Sequence, residues 1–311
     1  MLVSIEEAAK KLNAGDVIAI PTETVYGLAA RYQNREGVKK IYELKNRPSQ
    51  NPLILHVASV KDIEPLIKKV PPHFYALAAQ FWPGPLTLVL EIIPETIPES
   101  VRAGLPTQAF RVPLHSLTLD LIKSTGPLVA PSANLSGRPS AVSPAHVEAD
   151  FGKEFPVLNG GICQRGVEST ILVLKEGKWH IGRLGAIPAG SFTSILGYTP
   201  KEIEAEDSLV CPGQKYRHYA PHAKLNLVKE FKNHQTIIGF SDRSYPKDAH
   251  VLRWGSYKDP KEVLSHLYEI LRYLDSYKIS EAFVDVDFPS EGLWRTLEER
   301  LKKAAGITTA L

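Results

Sequence analysis

The stretch "DVIAIPTETVYGLAARY", Asp16 to Tyr32, decides how the chain is read. Val17, Ile18, Ala19 and Ile20 form a short apolar run of the kind that lies buried in a sheet. Pro21 closes it, and Thr22, Glu23, Thr24, Tyr26 and Gly27 follow at once. Polar residues serve any turn for solubility alone. Hydroxyls, a carboxylate and a permissive glycine gathered at one strand end also fit a second role, because α/β sheets bind small molecules outside the carboxyl ends of their strands.

The same alternation recurs on either side. "PLILHV" (52–57), "LTLVLEI" (86–92), "AFRV" (109–112) and "PLVA" (127–130) read as strands. "REGVKKIYELK" (35–45), "VKDIEPLIKKV" (60–70), "PHFYALAAQF" (72–81) and "LTLDLIKS" (117–124) carry apolar residues at helical spacing. "STILVLKEGKWHIGRLG" (169–185) reads as a hairpin turning at Glu176-Gly177-Lys178. Helical crossovers mixed with hairpins predict a twisted mixed α/β sheet over residues 1–189. Residues 190–221 carry Pro, Gly and charge with little apolar periodicity and read as a linker or lid.

Residues 222–311 restart a regular rhythm with "KLNLV", "TIIGF", "HVLRW" and "EAFVDV" as strands. A long helix opens with Asp259 as N-cap and Pro260 at its first position, and its buried stripe is Val263, Leu267, Ile270, Leu271 and Leu274. No G-x-G-x-x-G follows any strand, so the expectation is a small Rossmann-like parallel α/β domain without a dinucleotide.

Composition bounds the function. The 311 residues are 43% hydrophobic and 23% charged, and no apolar run approaches the ~18 residues of a membrane span. Ser4 and Glu7 make a capping box before a short amphipathic helix where a secretory signal needs a basic and then an apolar stretch, so the expected location is cytoplasmic and no membrane role is foreseen. Cys163 and Cys211 have no second Cys or His at ligand spacing, which points to neither a disulfide framework nor a protein-held metal. A net charge of +3 is small for this length, so local clusters matter more than the total.

Three further clusters are polar beyond the needs of a loop. In "ELKNRPSQNPLILH" (43–56), Lys45 and Arg47 stand where Pro48 stops a helix, and His56 ends the next strand. Two cations near a fixed turn suit phosphate, although cations at a helix C-terminus also complement its dipole. In "VAPSANLSGRPSAVSP" (129–144), prolines stiffen a loop carrying Ser132, Asn134 and Ser140, which suits an anion nest as well as plain Ser-Pro turns. "GGICQRGVESTI" (160–171) puts Ser169 at the head of a strand, with Val167-Glu168 where a P-loop requires Lys and Ser or Thr. A Walker-type site is thereby excluded, and neither G-x-S-x-G nor H-E-x-x-H occurs.

Taken in order, "PTETVYGL", "KNRPSQNPLILH", "WPGPLTLVL", "RVP", "APSANLSG", "GVESTI" and "HYAP" resemble the L-threonylcarbamoyladenylate synthase family in its long form, a YrdC-like domain with an extra C-terminal domain. The resemblance implies a nucleotidyltransferase that joins L-threonine, bicarbonate and ATP into threonylcarbamoyl-AMP and pyrophosphate. The product would serve the N6-threonylcarbamoyladenosine modification of tRNA position 37 through a downstream tRNA threonylcarbamoyl transferase. Carried over motif by motif, it implies Thr24, His56, Arg111, Ala130 and Ser169 around L-threonine. It implies Arg47, Asn51, Thr107, Ser132, Ser140, Arg183 and Tyr219 around ATP, with Lys45 and Arg47 as the catalytic cations. Mg²⁺ would accompany ATP. At "GRLGA" (182–186), Leu184 stands where the family tends to have proline.

Two other classes compete. A double-stranded-RNA-binding module would use Lys39, Lys40, Lys45, Arg47, Lys68 and Lys69 as a basic face, although few aromatics interleave with them, and weak tRNA contact is compatible with the same face. A carbamoyl-transfer maturation factor would need zinc-binding cysteines that this chain lacks.

Overall fold

In the computed structural model, which describes residues 1–203 and 218–307, the apolar runs fall into two separate sheets. The first contains β1 (Leu2–Val3), β2 (Ile18–Ile20), β3 (Gly27–Arg31), β4 (Ile54–His56), β5 (Leu86–Glu91), β6 (Thr107–Arg111), β7 (Leu128–Val129), β8 (Val157–Leu158), β9 (Thr170–Lys175) and β10 (Lys178–Arg183). Their order is β1-β8-β2-β3-β7-β4-β6-β5-β9-β10. The sheet is mixed: β2 runs antiparallel to β3 and parallel to β8, β4 runs parallel to β6, and β9 and β10 form the expected hairpin. Helices α1 (Ile5–Asn13), α2 (Arg35–Lys45), α3 (Phe74–Phe81), α4 (Glu99–Arg102), α5 (Ser116–Thr125), α6 (Pro144–Phe151) and α7 (Thr193–Leu196) belong to this part of the chain.

The second sheet contains β11 (Lys224–Val228), β12 (Thr236–Gly239), β13 (His250–Arg253) and β14 (Glu281–Asp285). It is parallel throughout, ordered β11-β14-β12-β13, and is accompanied by α8 (Pro260–Ser276) and α9 (Gly292–Ala305).

Local chemistry explains most boundaries. Ser4 and Glu7 close the capping box of α1, and the Asp259 carboxylate accepts from the amides of Lys261 and Glu262 with Pro260 as the first residue of α8. α2 ends before Pro48, at Asn46, which adopts the left-handed conformation (φ 50°) that asparagine tolerates. One expectation fails. Residues 60–70 are not a helix but two 3₁₀ turns, Val60–Asp62 and Glu64–Leu66. The Asp62 carboxylate takes the amides of Ala58 and Ser59, and Pro65 has no N–H to give, while Ile63 and Ile67 are still buried.

The segment read as a linker or lid is described only at its two ends. Lys201–Ile203 lie beside β10, with the Ile181 amide on the Lys201 carbonyl and the Ile203 amide on the Ile181 carbonyl. Residues 204–217, with Cys211, lie outside the described residues.

α8 joins the two parts of the molecule. Arg272, buried, donates to the carbonyls of Pro139 and Ser140 and to both oxygens of Asp150, at 3.1 and 2.7 Å. Arg138 pairs with Asp275 at 2.9 Å. Gly166 (φ 63°) packs so closely on α8 that a Cβ there would lie 2.4 Å from the Ser265 carbonyl oxygen.

Arg272→Ala would strand the Asp150 carboxylate and the carbonyls of Pro139, Ser140 and His146, a class of change that costs about 3–5 kcal/mol. The urea midpoint should fall accordingly, with substantial recovery in Arg272→Met/Asp150→Leu, in which neither charge remains. Equal midpoints for wild type and Arg272→Ala would show that this pair does not hold the two sheets together.

Candidate active site

A cleft of about 700 Å³, its open side included, lies over the first sheet. Ile54 and His56, two residues apart on β4, both line it, so it covers one face of the sheet instead of lying only beyond strand ends. A mixed sheet sends strand carboxyl ends both ways, which removes the single ligand-binding edge of a doubly wound fold.

Thr22, Thr24, Val25, Tyr26 and Gly27 form one wall. Gly27–Arg31 returns as β3, with Ile20 opposite Gly27, so residues 21–26 connect two paired strands. The Thr22 hydroxyl shapes this connection: it donates to the Val25 carbonyl at 2.6 Å and accepts from the amides of Thr24 and Val25. Its oxygen also lies 2.8 Å from that of Thr24, which lines the cleft. Glu23, which sequence reasoning left without a task, accepts from the Leu114 amide and sets Oε1 2.8 Å from Nη2 of Arg111. Both side chains are buried, and Arg111 Nε donates to the Gly84 carbonyl.

His56 pairs in register with Arg111, and its Nδ1 lies 3.2 Å from the Ile54 carbonyl. A donating Nδ1 leaves Nε2 as an acceptor. Burial, assisted by the Arg111 charge, lowers its pKa to about 3, so the ring is neutral at physiological pH. Ser169 Oγ lies 2.7 Å from Thr87 Oγ1, and Arg183 donates to the Ser169 carbonyl and hydroxyl.

Ten of the residues expected at the site line this one cleft: Thr24, Arg47, His56, Arg111, Ala130, Ser132, Ser140, Ser169, Arg183 and Tyr219. Arg47 is held from behind, Nε on the Asn51 carbonyl and Nη2 on the Pro52 carbonyl.

Three expected residues are not on the wall. Lys45 is buried, and its ammonium donates to the carbonyls of Ser132 and Asn134, so it straps the serine loop in place instead of facing the cleft. Burial, with Arg47 beside it, holds the Lys45 pKa well below the usual lysine range, and a neutral amine still has the two N–H groups those carbonyls need. Asn51 is buried behind Arg47, with its carbonyl also accepting from Tyr42. Thr107 begins β6, opposite Glu91 and four residues before Arg111, which is about 13 Å along a strand.

Glu168, Arg138 and His218 line the cleft without having been singled out, their signal being only their place within or beside the polar motifs. Glu168 is nearly buried and accepts from Ser140 Oγ at 2.7 Å. Burial alone would raise its pKa, but Arg300, Arg183 and the Ser140 hydroxyl more than offset this and hold the carboxyl below its usual range. Among the described residues, no group of three or more His, Cys, Asp or Glu comes together as metal ligands, and no helix is long and apolar enough to cross a membrane.

Comparison with known proteins gives a consistent picture. A family model described as "Telomere recombination", that of the Sua5, YciO and YrdC proteins, matches residues 10–185. A second, described as "Threonylcarbamoyl-AMP synthase, C-terminal domain", matches residues 187–306. The threonylcarbamoyl-AMP synthase of Pyrococcus abyssi is 37% identical, over 97% of this chain and 94% of its own length. That of Bacillus subtilis is also 37% identical, over 97% and 93%. The crystal structure of P. abyssi Sua5 complexed with L-threonine matches with a TM-score of 0.88 at 35% identity, covering 97% of this chain and 94% of that one. Escherichia coli YciO, at a TM-score of 0.53 and 20% identity over 58% of this chain, shares the fold alone.

Burial of neutral histidines gives the fold an acid-sensitive range. It lowers His56 and His218 to about 3 and His146 to about 4, against 6.5 when exposed. Between those values the unfolded chain binds more protons than the folded one. The stability these rings contribute is therefore complete above pH 6.5 and lost progressively as the pH falls toward 3. The urea midpoint should drop from pH 7 to pH 5, and drop less in His56→Gln; a level midpoint over that interval would rule the effect out.

Proposed function

Because this chain belongs to the threonylcarbamoyl-AMP synthase family, we propose that its cleft joins L-threonine, bicarbonate and ATP into threonylcarbamoyl-AMP with release of pyrophosphate, as a nucleotidyltransferase serving tRNA position 37. The observation that carries this reading is the convergence in one cleft of two kinds of chemistry. Thr24, Ser169, neutral His56 and Arg111 suit a hydroxy amino acid, and Arg47, Arg183, Ser132, Ser140 and Tyr219 suit a nucleotide.

The reaction follows from these groups. Arg111, held on one side by Glu23, presents its guanidinium to the threonine carboxylate. His56 Nε2 accepts a hydrogen bond from the amine, and a ring with a pKa near 3 acts as an acceptor and not as a base. The threonine amine condenses with bicarbonate, forming the C–N bond of a carbamate and releasing water; a carbamate oxygen then attacks the α-phosphorus of ATP, and the bond to pyrophosphate breaks as it leaves. No protein nucleophile is needed, and burial pushes the Cys163 thiol up to about 12, so it stays protonated.

Positioning of the reactants supplies up to roughly 7–11 kcal/mol in favourable cases. Arg47 and Arg183 add stabilisation of the phosphate charge, about 3 kcal/mol for a well-placed donor. Mg²⁺ would be carried by the ATP phosphates, because Glu168, the carboxylate on the cleft wall, is already paired with Arg300, and Glu23 behind it with Arg111. A cytoplasmic setting and a downstream tRNA threonylcarbamoyl transferase complete the proposal.

An RNA-binding module as the sole function has less support. Lys45 is buried, Lys39 pairs with Glu43, and Lys40 pairs with Asp16, which interrupts the basic face that reading requires.

Pyrophosphate release from ATP should require both threonine and bicarbonate, and release unchanged by omitting either would overturn the reaction. Arg111→Ala should raise the threonine requirement at least about tenfold while ATP binding without threonine is retained; equal loss of both would remove Arg111 from the carboxylate. Arg47→Ala should slow pyrophosphate formation roughly a hundredfold with no nucleic acid present. Full activity there with loss of RNA binding would favour the module.

A further inference from the structure

Tyr268 and Arg300 belong to α8 and α9, beside the second sheet, and neither lies on the cleft wall. Yet both reach the buried carboxylate of Glu168, which is part of that wall. The Tyr268 hydroxyl lies 3.0 and 2.9 Å from the two oxygens of Glu168, and Arg300 Nε donates to Oε2 at 3.1 Å. On its cleft side the same carboxylate accepts from Ser140.

The contacts extend to the other groups assigned to the nucleotide. Arg300 Nη2 donates to the carbonyl of Leu184, next to Arg183, at 2.7 Å. Its guanidinium lies 4.8 Å from the centre of the Tyr219 ring, and that ring stacks on Tyr268 at 5.4 Å and 23°. Tyr219 has a left-handed backbone (φ 66°), which a bulky residue keeps only where its surroundings enforce it. The threonine side is supported differently: Thr24 by Thr22, His56 by the Ile54 carbonyl, Arg111 by Glu23 and Gly84, and Ser169 by Thr87 and Arg183, all from the first sheet and its loops, with Arg183 the one group shared with the nucleotide side.

We propose that Tyr268 and Arg300 are positioning residues for the ATP half of the cleft: through Glu168 and Tyr219, the C-terminal part of the chain sets Ser140 and the Tyr219 ring against the nucleotide. This rests on the function proposed above. The two halves of one site thus depend mainly on different parts of the molecule, so a perturbation of α8 or α9 changes ATP recognition far more than threonine recognition. Neither residue touches a reactant, so the effect is on nucleotide binding more than on turnover.

Tyr268→Phe keeps the stacked ring and removes only the hydroxyl that Glu168 accepts. In the full-length protein it should raise KM for ATP about tenfold, with KM for threonine within about twofold and kcat little changed. In a Ser140→Ala background the same substitution should have much less effect, because its effect runs through that hydroxyl. Arg300→Lys, which keeps a charge but not the bond to Leu184, should show the same split, and if it fails to fold the Tyr268→Phe result stands by itself. Equal rises in both KM values, an unchanged KM for ATP, or full additivity with Ser140→Ala would each overturn the inference. A wild-type protein that releases no pyrophosphate would overturn the proposed function and this inference with it, whereas an active wild type with an indistinguishable Tyr268→Phe variant would overturn the inference alone.

Discussion

The molecule is organised around one carboxylate that has lost its water. Glu168 sits at the head of β9, 6% exposed, where an unpaired charge would be prohibitively costly. It therefore has to be met from several directions at once. Ser140 comes from the serine loop, Tyr268 and Arg300 from the other half of the chain, and each of these side chains is itself buried. Replacing Arg300 leaves that charge unbalanced, and replacing Ser140 or Tyr268 leaves it short of a hydrogen bond, so the group ties the serine loop, β9 and the two C-terminal helices into one arrangement.

Two other buried polar groups work by the same rule on a smaller scale. Lys45 ends α2 and spends its amine on the carbonyls of Ser132 and Asn134, so a helix end holds a loop whose neighbouring hydroxyls face the cleft. Glu23 faces away from the hydroxyls beside it and anchors Arg111. In each case a charged residue that resembles a site residue in sequence supports one in space. Enzyme sites that exclude water need such support, because every charge left near the reactants must already have its partner.

Much was legible from the sequence alone. Strands 18–20, 54–56, 86–91 and 107–111, the hairpin at 170–183 and the long helix 260–276 follow from apolar period, caps and turn residues, which act over a few neighbouring positions. The helical reading of 60–70 failed because the Asp62 carboxylate and Pro65 compete locally with the apolar period. The polar clusters in "PTETVYGL", "KNRPSQNPLILH", "APSANLSG" and "GVESTI" were visible as chemistry exceeding what loops require, and they do meet in one cleft.

Tertiary structure decided which member of each cluster faces the reactants and which supports it. Sequence spacing cannot distinguish Lys45 from Arg47, since two cations two positions apart are alike in composition and opposite in surroundings, one buried behind the cleft and the other on its wall. The sheet order β3-β7-β4-β6 brings Thr24, Ala130, His56 and Arg111 together. The bond from Arg300 to Glu168 spans 132 positions. The reason is physical: periodicity and capping are properties of a short segment, whereas the pairing of a buried charge is satisfied only by whatever the folded chain brings within about 3 Å of it.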